Sequence, residues 1–443
     1  MSAPIYDSLK NHWKKGRSAF HMPGHKGKLP GWELDRAAFL DITEIPDTGS
    51  LFDAVGPTRE AEELAAKYFG MRRTLFSAGG STLCIQAMLR LCAPQGGKMV
   101  CSRMMHRSAV NAMALLGIDP VYLYPDCSAG PCFAGRITPE SVACMLKAHP
   151  DACAVYLTSP DYYGVMSDIS GICREAQRYR VPVLVDNAHG AHLYALDPAL
   201  HPVIQGAAMS ADSAHKTLPV LTGGAFLQIG REEYLRDARE AMALFGSTSP
   251  SYLILESLDR CREWLETGGE ETVRRAADRC RDLKKEIGSR GFLQPEGECD
   301  PFHIALSGRN LSYGGERSGE ILRSLSVEPE YAADGALIFL PSPFNSERDY
   351  ETLLYALDQV PLMEHGGWPV TAIPHPETVL ELRAALLSPG VVLPVEQSVG
   401  RIAGQVACPC PPAIPVVMPG ERIDPECVEA LKNFGVHNIK VVK

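Results

Sequence analysis

The sequence lacks a long apolar run, and this absence excludes a predicted helical membrane span. No stretch of its 443 residues approaches the roughly eighteen consecutive apolar residues that such a helix needs. The segment from Met1 to Trp13 also lacks the apolar core of a secretory signal. We therefore expect a cytoplasmic protein without membrane contact.

Paired cysteine motifs are also lacking, although cysteine itself is not rare. The fourteen cysteines occur at irregular intervals, and none of them form the Cys-x-x-Cys pair of many metal and redox sites. Without a disulfide framework or an export signal, we expect the thiols to be reduced.

The chain has no excess of positive charge. Its 43 lysines and arginines are outnumbered by 53 aspartates and glutamates, which gives a formal net charge of −10. Nucleic acid is therefore not expected as the main partner, because phosphate binding depends on a positive surface. The charge is compatible with a small cationic substrate, and the length is sufficient for more than one packed core.

Short apolar runs alternate with helical patterns over the first half of the chain. Strands are predicted at residues 74–78, 99–101, 121–124, 152–158, 181–186, 206–209 and 224–229. A helix is predicted before the first of them, at about 60–69, and two more lie between strands, at about 83–91 and 170–180. This βαβ order is typical of an α/β fold with a mostly parallel sheet that is covered on both faces.

The remaining segments have other patterns. Helices are predicted at residues 1 to about 19, 232–244, 252–287 and 378–387, with a break in the third at Gly268 and Gly269. Strands at 302–306 and 336–340 predict a smaller α+β part. We divide the chain into an N-terminal segment (1–40), a large domain (41–260), a small α+β domain (261–370) and a C-terminal module (371–443).

One lysine lies in a segment suited to covalent chemistry. Lys216 stands between small hydroxyl residues and a Gly-rich turn, within Ser210–Leu218 and before Thr222–Ala225. If burial lowers the pKa of its ammonium group, the free amine can condense with an aldehyde to a Schiff base. The alternative is an ordinary surface lysine, because most lysines are exposed.

An acidic residue thirty positions earlier favours the first interpretation. The apolar run 181–185 ends in Asp186, and ligands of open α/β sheets bind outside the carboxyl ends of the strands. A buried carboxylate needs a cationic partner such as a protonated pyridine nitrogen, so Asp186 and Lys216 together suggest pyridoxal phosphate (PLP). The alternative is a metal site formed by Asp186, His189 and His192, which would leave Lys216 unexplained.

A third segment is suited to binding a phosphate group. Gly79, Gly80, Ser81 and Thr82 stand between a predicted strand and a predicted helix, where backbone N–H groups can hold an anion. The alternative is a simple helix N-cap by Ser81 or Thr82. In combination with Lys216, the phosphate of PLP is favoured.

Three segments resemble the signatures of one family. Ser213–Pro219 has the sequence S-A-H-K-T-L-P, Phe20–Gly27 has F-H-M-P-G-H-K-G, and Pro411–Glu421 contains P-P-A-I-P and M-P-G-E. They resemble the motifs of the bacterial ornithine/lysine/arginine decarboxylases, which are PLP enzymes of the aspartate-aminotransferase fold, known as fold type I. The matches occur in the family's order from residue 20 to residue 421 and cover nearly the whole chain.

The resemblance implies a set of cofactor contacts. Lys216 would carry PLP and Asp186 would pair with its ring nitrogen. His106 would stack on the ring, and Ala188 would pack under it. The other expected cofactor contacts are Gly80, Ser81, Thr82, His189, Ser213 and His215, and no metal is expected. Lys216 or His215 would return a proton to the α-carbon after CO2 leaves.

The resemblance also implies the reaction and the assembly. The expected reaction is decarboxylation of a basic amino acid, first arginine and then lysine or ornithine, by a homodimer or larger homo-oligomer with a shared active site. The cofactor motifs alone leave open another fold-type-I reaction, such as transamination or carbon–carbon cleavage. A regulatory relative without turnover is a further alternative, which the intact Lys216 and Asp186 disfavour.

Several positions depart from the family's pattern. The departures are Gly79 for asparagine, Cys84 for glycine, Asp161 for threonine, Gln405 for glutamate, Cys410 for tyrosine and Ala413 for glycine. Gln405 bears most directly on the substrate, because a basic side chain needs a partner for its buried charge.

Overall fold

The fold is described from a computed structural model. It describes residues 16–20, 50–53, 55–126, 129, 135–333, 335–363, 374–407 and 415–443. The predictions for residues 1–15, for the Phe20–Gly27 signature beyond Phe20, and for Cys410 and Ala413 lie outside these ranges.

Among the described residues, seven strands between residues 73 and 229 form one sheet. In order across the sheet they are β2 (Arg73–Ser77), β8 (Ala225–Ile229), β7 (Met209–Asp212), β6 (Val183–Asp186), β5 (Val155–Thr158), β3 (Gly97–Ser102) and β4 (Ile118–Leu123). β8 runs antiparallel to both of its neighbours, and the other pairs are parallel. The predicted α/β class with a mostly parallel sheet is therefore confirmed.

Helices cover this sheet on both faces. In chain order they are α1 (Pro57–Tyr68), α2 (Gly80–Cys92), α3 (Arg107–Leu116), α4 (Pro139–Ala148), α5 (Ile169–Arg178), α6 (Leu193–Leu196) and α7 (Ala238–Phe245). Tyr156 and Leu184 pack in one core with α2, α3 and α7. Their neighbours Val155 and Val185 pack on the opposite face with α4 and α5. Burial on both faces explains why these strands are continuous apolar runs in the sequence.

Two long helices lead away from the sheet, α8 (Tyr252–Trp264) and α9 (Glu270–Ser289). The predicted break between them is confirmed, because Gly268 has a φ of +122° between the two helices. Residues that carry a side chain rarely adopt such a backbone conformation, which explains why a glycine stands at this position.

An α+β region follows α9. An antiparallel sheet is formed by β11 (Tyr331–Ala333), β12 (Ala336–Phe339) and β9 (Ile304–Ser307), with α10 (Gly314–Ser324) and α11 (Glu347–Leu357) nearby. The last part contains α12 (Leu382–Leu387), β13 (Gly390–Pro394), α13 (Pro425–Asn433) and β14 (Asn438–Val442). β13 pairs with β14 over an apolar cluster of its own. The proposed domain boundaries stay predictions.

A helix was predicted for residues 1 to about 19, and this prediction is wrong for the residues at its end that the structure describes. Ser18–Phe20 forms a strand, β1, in parallel register with β10 (Val327–Pro329). Phe20 is fully buried, with its ring centroid 5.9 Å from that of Phe339. A local helical period cannot indicate a strand whose partner lies so far along the chain.

The strand predicted at residues 206–209 lies too early, since β7 begins at Met209 and includes Ser210 and Asp212. Both polar side chains are buried and satisfied within the protein. Asp212 Oδ1 accepts from the Ser210 hydroxyl at 2.8 Å, and Asp212 Oδ2 lies 2.8 Å from His201 Nε2. A strand with polar buried residues lacks the apolar run on which the prediction depended.

Two predicted helices begin later than expected. Glu232–Tyr234 is a single 3-10 turn before α7, which begins at Ala238. Thr378 forms a backbone bridge with Glu421, so α12 begins only at Leu382. In the described part of the chain, no helix has the length and apolar character to cross a membrane.

Candidate active site

The carboxyl ends of adjacent parallel strands bring Asp186 and Lys216 to one edge of the sheet. Asp186 ends β6 and pairs in register with Ala211 of β7. Lys216 follows in the 3-10 turn Ala214–Lys216, directly after β7. Burial raises the pKa of Asp186, and the positive charge of Lys216 opposes that increase. The two residues that the sequence singled out therefore interact electrostatically.

Asp186 has polar but uncharged partners at contact distance. Its Oδ2 accepts from the Tyr156 hydroxyl at 3.3 Å, and its Oδ1 accepts from the backbone N–H of Ala188 at 3.2 Å. Both residues are buried, and Ala188 lies in the turn after the strand. A buried carboxylate with neutral partners is suited to pairing with a cationic ring nitrogen, which fits PLP.

His189 contacts the lysine amine. Lys216 Nζ lies 2.8 Å from His189 Nε2. Burial and the charge of Lys216 lower the pKa of His189 well below its ordinary value, so its imidazole is neutral and can accept a hydrogen bond from the amine. His189, predicted only as a cofactor contact, therefore also positions Lys216.

A chain of buried side chains continues from His189. His189 Nδ1 lies 2.9 Å from His303 Nε2, and His303 Nδ1 lies 2.5 Å from Asp300 Oδ2. The other oxygen of Asp300 lies 2.6 Å from His192 Nε2, and His192 Nδ1 lies 3.1 Å from the hydroxyl of Thr217. This series of contacts thus begins at Lys216 and ends at Thr217, the next residue in the sequence.

These contacts do not favour the metal alternative. His189 and His192 use both ring nitrogens for protein partners, and Asp186 faces Tyr156 and its own turn. Within the described ranges, no group of three or more histidine, cysteine or acidic side chains is arranged to hold a metal ion. The H-x-x-H spacing at 189 and 192 marks a buried hydrogen-bond network instead.

His106 lies at the N-terminus of α3, on the same side of the sheet as Lys216. Its Nδ1 accepts from the backbone N–H of Ser108 at 3.2 Å and lies 2.8 Å from the Ser108 hydroxyl. Burial, with the charges of Lys216 and Arg107, lowers the pKa of His106 to about 4. His106 is therefore a neutral imidazole near Lys216, and its stacking on the cofactor ring stays a prediction.

The predicted phosphate segment forms the first turn of α2. Gly79 is the N-cap and makes no side-chain hydrogen bond, so neither Ser81 nor Thr82 is the cap that the alternative required. Gly80 has a φ of +68°, and an added Cβ there would meet no atom of the described residues within 4 Å. Its N–H donates to the carbonyl of Gly223 at 2.7 Å, which connects this turn to the loop after Lys216. An uncapped helix start beside open space fits a phosphate group.

Ser213 directly precedes the lysine turn, and His215 lies within it. His215 Nδ1 lies 3.1 Å from the carbonyl oxygen of Gly224 and 3.3 Å from the Ser213 hydroxyl. Through these contacts His215 joins the lysine turn to the start of β8. The predicted phosphate and proton-transfer roles of these two residues stay predictions.

The described departures from the family pattern have different surroundings. Asp161 is buried in the turn after β5, where its Oδ1 accepts from the N–H groups of Tyr163 and Val165. Burial raises the pKa of Asp161 to about 7. Cys84 is buried within α2, and Gln405 is half-buried in the C-terminal part.

The residues that sequence reasoning missed are Asp300, His303 and Thr217. Asp300 and His303 precede β9 and belong to no recognised motif, and only the fold brings them to His189. Thr217 was seen only as part of the lysine motif. The one usable signal was the pair of histidines at 189 and 192.

Comparisons with known proteins agree with this arrangement. Residues 3–307 match the protein-family model described as Orn/Lys/Arg decarboxylase, major domain. Residues 388–437 match the family model described as Orn/Lys/Arg decarboxylase, C-terminal domain. An arginine decarboxylase of Halalkalibacterium halodurans is 31% identical over 95% of this chain and 91% of the relative. An arginine decarboxylase of Bacillus subtilis is 30% identical over 99% of this chain and 98% of the relative. The structure of the E. coli constitutive lysine decarboxylase has the same fold, with a TM-score of 0.74 at 20% identity over 100% of this chain and 82% of that one.

Proposed function

Because this chain belongs to the Orn/Lys/Arg decarboxylase family, and is a decarboxylase whose cofactor is PLP, we propose that arginine is its substrate. The products would be CO2 and the corresponding amine, and lysine and ornithine are the next candidates. Nearly full-length similarity to proteins named arginine decarboxylase supports this choice. A relative named lysine decarboxylase, from E. coli, is 26% identical over 65% of this chain.

The residues at the sheet edge fit the needs of this reaction. Bound PLP supplies an electron sink that makes the loss of CO2 from the α-carbon possible. We assign Lys216 to hold the cofactor covalently and Asp186 to keep a proton on the cofactor's ring nitrogen. The first turn of α2 would bind the phosphate through the backbone N–H groups of Ser81 and Thr82, while the N–H of Gly80 donates to Gly223. Support comes above all from the joint placement of Asp186 and Lys216 at the ends of β6 and β7.

Proton transfer is assigned to the lysine amine. Lys216 Nζ would return a proton to the α-carbon after CO2 leaves, as a positioned acid must. His189 Nε2, 2.8 Å away, holds that amine by accepting a hydrogen bond from it. His215 stays the second candidate for this acid.

A carboxylate suited to the cationic end of the substrate comes from the α+β region. Glu330 is half-buried beside β11, and its Oε1 accepts from the Tyr162 hydroxyl at 3.1 Å. The ring of Tyr162 lies edge-on to that of His189, with a centroid distance of 5.3 Å. Glu330 is thus connected to Lys216 through two side chains. We propose that it replaces the acid that the family has at the position of Gln405.

Product analysis tests the substrate assignment. Purified, PLP-loaded protein is given arginine, lysine and ornithine in parallel, and CO2 and the amine are followed by mass. We expect amine from arginine, and none of it from a Lys216→Ala variant. Amine from lysine or ornithine alone would reject arginine. Absence of CO2 with all three, while another amino acid shifts the cofactor's absorbance, would instead support a different fold-type-I reaction.

We also propose a homodimer with a shared active site, as the family resemblance implies. Sedimentation of the PLP-loaded protein tests it, and a catalytically active monomer would contradict it.

A further inference from the structure

Asp300 contacts two imidazoles with one buried carboxylate. Its Oδ2 lies 2.5 Å from His303 Nδ1, its Oδ1 lies 2.6 Å from His192 Nε2, and all three side chains are fully buried. Burial alone would raise the pKa of Asp300, but His192 and His303 offset this and hold that pKa below its ordinary value. An ionised carboxylate only accepts hydrogen bonds, so both imidazoles must donate to it.

This requirement determines the tautomers of the next two rings. Burial lowers the pKa of His303, and a neutral His303 that donates from Nδ1 has a bare Nε2, which can only accept. His189 Nδ1, 2.9 Å away, must therefore donate to it. The remaining nitrogen of His189, Nε2, is then the acceptor that faces Lys216 Nζ at 2.8 Å.

The second oxygen of Asp300 acts on the neighbouring residue. A neutral His192 that donates from Nε2 has a bare Nδ1, which accepts from the Thr217 hydroxyl at 3.1 Å. Thr217 is buried and directly follows Lys216. One carboxylate therefore orients hydrogen bonds that reach both the amine of Lys216 and the backbone segment that carries it.

The surroundings hold Asp300 in place. Its backbone N–H donates to the carbonyl of Gly164 at 2.8 Å, and its own carbonyl accepts from Lys284 Nζ at 2.6 Å. A Cβ at Gly164 would lie 2.3 Å from the Cβ of His303, so this turn is closely packed against the ring. Among the described residues, the titratable and charged groups that act on Asp300 or Lys216 include Lys284, Cys280, Cys299, His192, His303, Asp186, His106 and His189.

We propose that Asp300 is a positioning residue for Lys216. Through His303 it fixes His189 as the neutral tautomer protonated on Nδ1, so that the lone pair of Nε2 accepts from the lysine amine. The orientation of that amine toward the cofactor thus depends on a carboxylate three hydrogen bonds away. This inference rests on the proposed role of Lys216.

Two substitutions of His303 distinguish the effect of its hydrogen bonds from the effect of its packing. In His303→Gln, the amide N–H can donate to Asp300 while the amide oxygen accepts from His189, so the direction of the chain is kept. His303→Leu has a similar size but removes both contacts. Glu62→Gln is the control, because it alters a buried polar contact elsewhere in the protein: Glu62 on α1 forms an ion pair with Arg239 on α7, apart from the hydrogen bonds that lead to Lys216.

The measured quantities are the rate at which the apoprotein captures PLP, followed by absorbance, and the pH at which the absorbance of the bound cofactor changes. We expect His303→Leu to slow capture by about tenfold or more and to shift the pH midpoint, because His189 loses the partner that keeps its proton on Nδ1, and its Nε2 is then no longer held as the acceptor for the lysine amine. His303→Gln should stay within about threefold of the native rate. Glu62→Gln should leave both quantities unchanged, whatever its effect on thermal stability.

A second measurement covers the case in which His303→Leu does not fold. Nitrogen-15 chemical shifts of the histidines in the native protein report the tautomers directly, and we expect His189 and His303 to carry their protons on Nδ1. A proton on Nε2 of His189, or equal capture rates for His303→Leu and the native protein, would overturn the proposal. If borohydride-reduced cofactor maps to another lysine, the role of Lys216 has failed; if it maps to Lys216 while the tautomer is wrong, only this inference has failed.

Discussion

Replacing Glu421 by glutamine should destabilise the attachment of the C-terminal part. Arg103, directly after β3, forms a bidentate ion pair with Glu421 of the M-P-G-E segment, with its NH2 2.8 Å from Oε2. The side chains are 0% and 2% exposed. Arg103 NH2 also donates to the carbonyl of Val416, and Glu421 Oε2 accepts from the N–H of Met418.

The expected loss follows from what the substitution leaves behind. Glu421→Gln removes the negative charge and keeps the volume, so the guanidinium of Arg103 stays buried without a counter-charge, and it cannot deprotonate. Breaking a buried pair in this way costs about 3–5 kcal/mol. An unfolding entropy of about 2.1 cal/mol/K per residue gives about 0.9 kcal/mol/K for 443 residues, so Tm should fall by about 3–5 °C if the chain unfolds as a unit.

Calorimetry and limited proteolysis check this prediction together. Glu377→Gln is the matched control, because Glu377 and Arg422 are 71% and 49% exposed, with a distance of 3.3 Å. An exposed pair contributes at most about 1 kcal/mol, so the control should have a nearly native Tm. We also expect Glu421→Gln alone to expose the C-terminal part to protease. Equal Tm values and equal cleavage for the two variants would refute the buried-pair reasoning.

Three further substitutions test the site. Asp186→Asn should retain PLP on Lys216 but lower kcat by about a hundredfold or more, because the ring nitrogen loses its anionic partner; full activity with bound cofactor would reject that pairing. Glu330→Gln should raise KM for arginine by about tenfold with little change in kcat, and an unchanged KM would exclude Glu330 from substrate binding. Because burial raises the pKa of Asp161 to about 7, the free energy of unfolding should fall as pH rises from about 4 to about 7, where the unfolded chain has released a proton that the folded protein keeps. Asp161→Asn should remove this part of the pH dependence in urea unfolding, and the same slope in both proteins would contradict the raised pKa.

The sequence predicted those parts of the fold that depend on local patterns. The strands β5 and β6 are continuous apolar runs because both of their faces are buried, and Asp186 marks a strand end because an acid interrupts the run. The break at Gly268 was visible for a similar reason, since glycine at a positive φ stops a helix. β7 was misplaced because Ser210 and Asp212 satisfy each other inside the protein, which no hydropathy pattern reveals.

Only some of the residues of the candidate site could be predicted from the sequence. Lys216, Asp186 and the first turn of α2 lie in recognisable segments, whereas Asp300 and His303 directly precede β9 and contact His189 only in the folded protein. The spacing of His189 and His192 suggested metal ligands, because spacing alone does not specify the partners of an imidazole. The strand Ser18–Phe20 was missed for the same reason, since its partner β10 is distant in sequence.

The placement of the cofactor on Lys216 is tested most directly by chemical trapping. The PLP-loaded protein is reduced with borohydride and digested, and the peptide that carries the phosphopyridoxyl group is identified by mass. We predict one modified peptide, with the group on Lys216, in the native protein and in Asp186→Asn. Modification of a different lysine, or bound cofactor that borohydride does not fix to the chain, would contradict the assignment of this site.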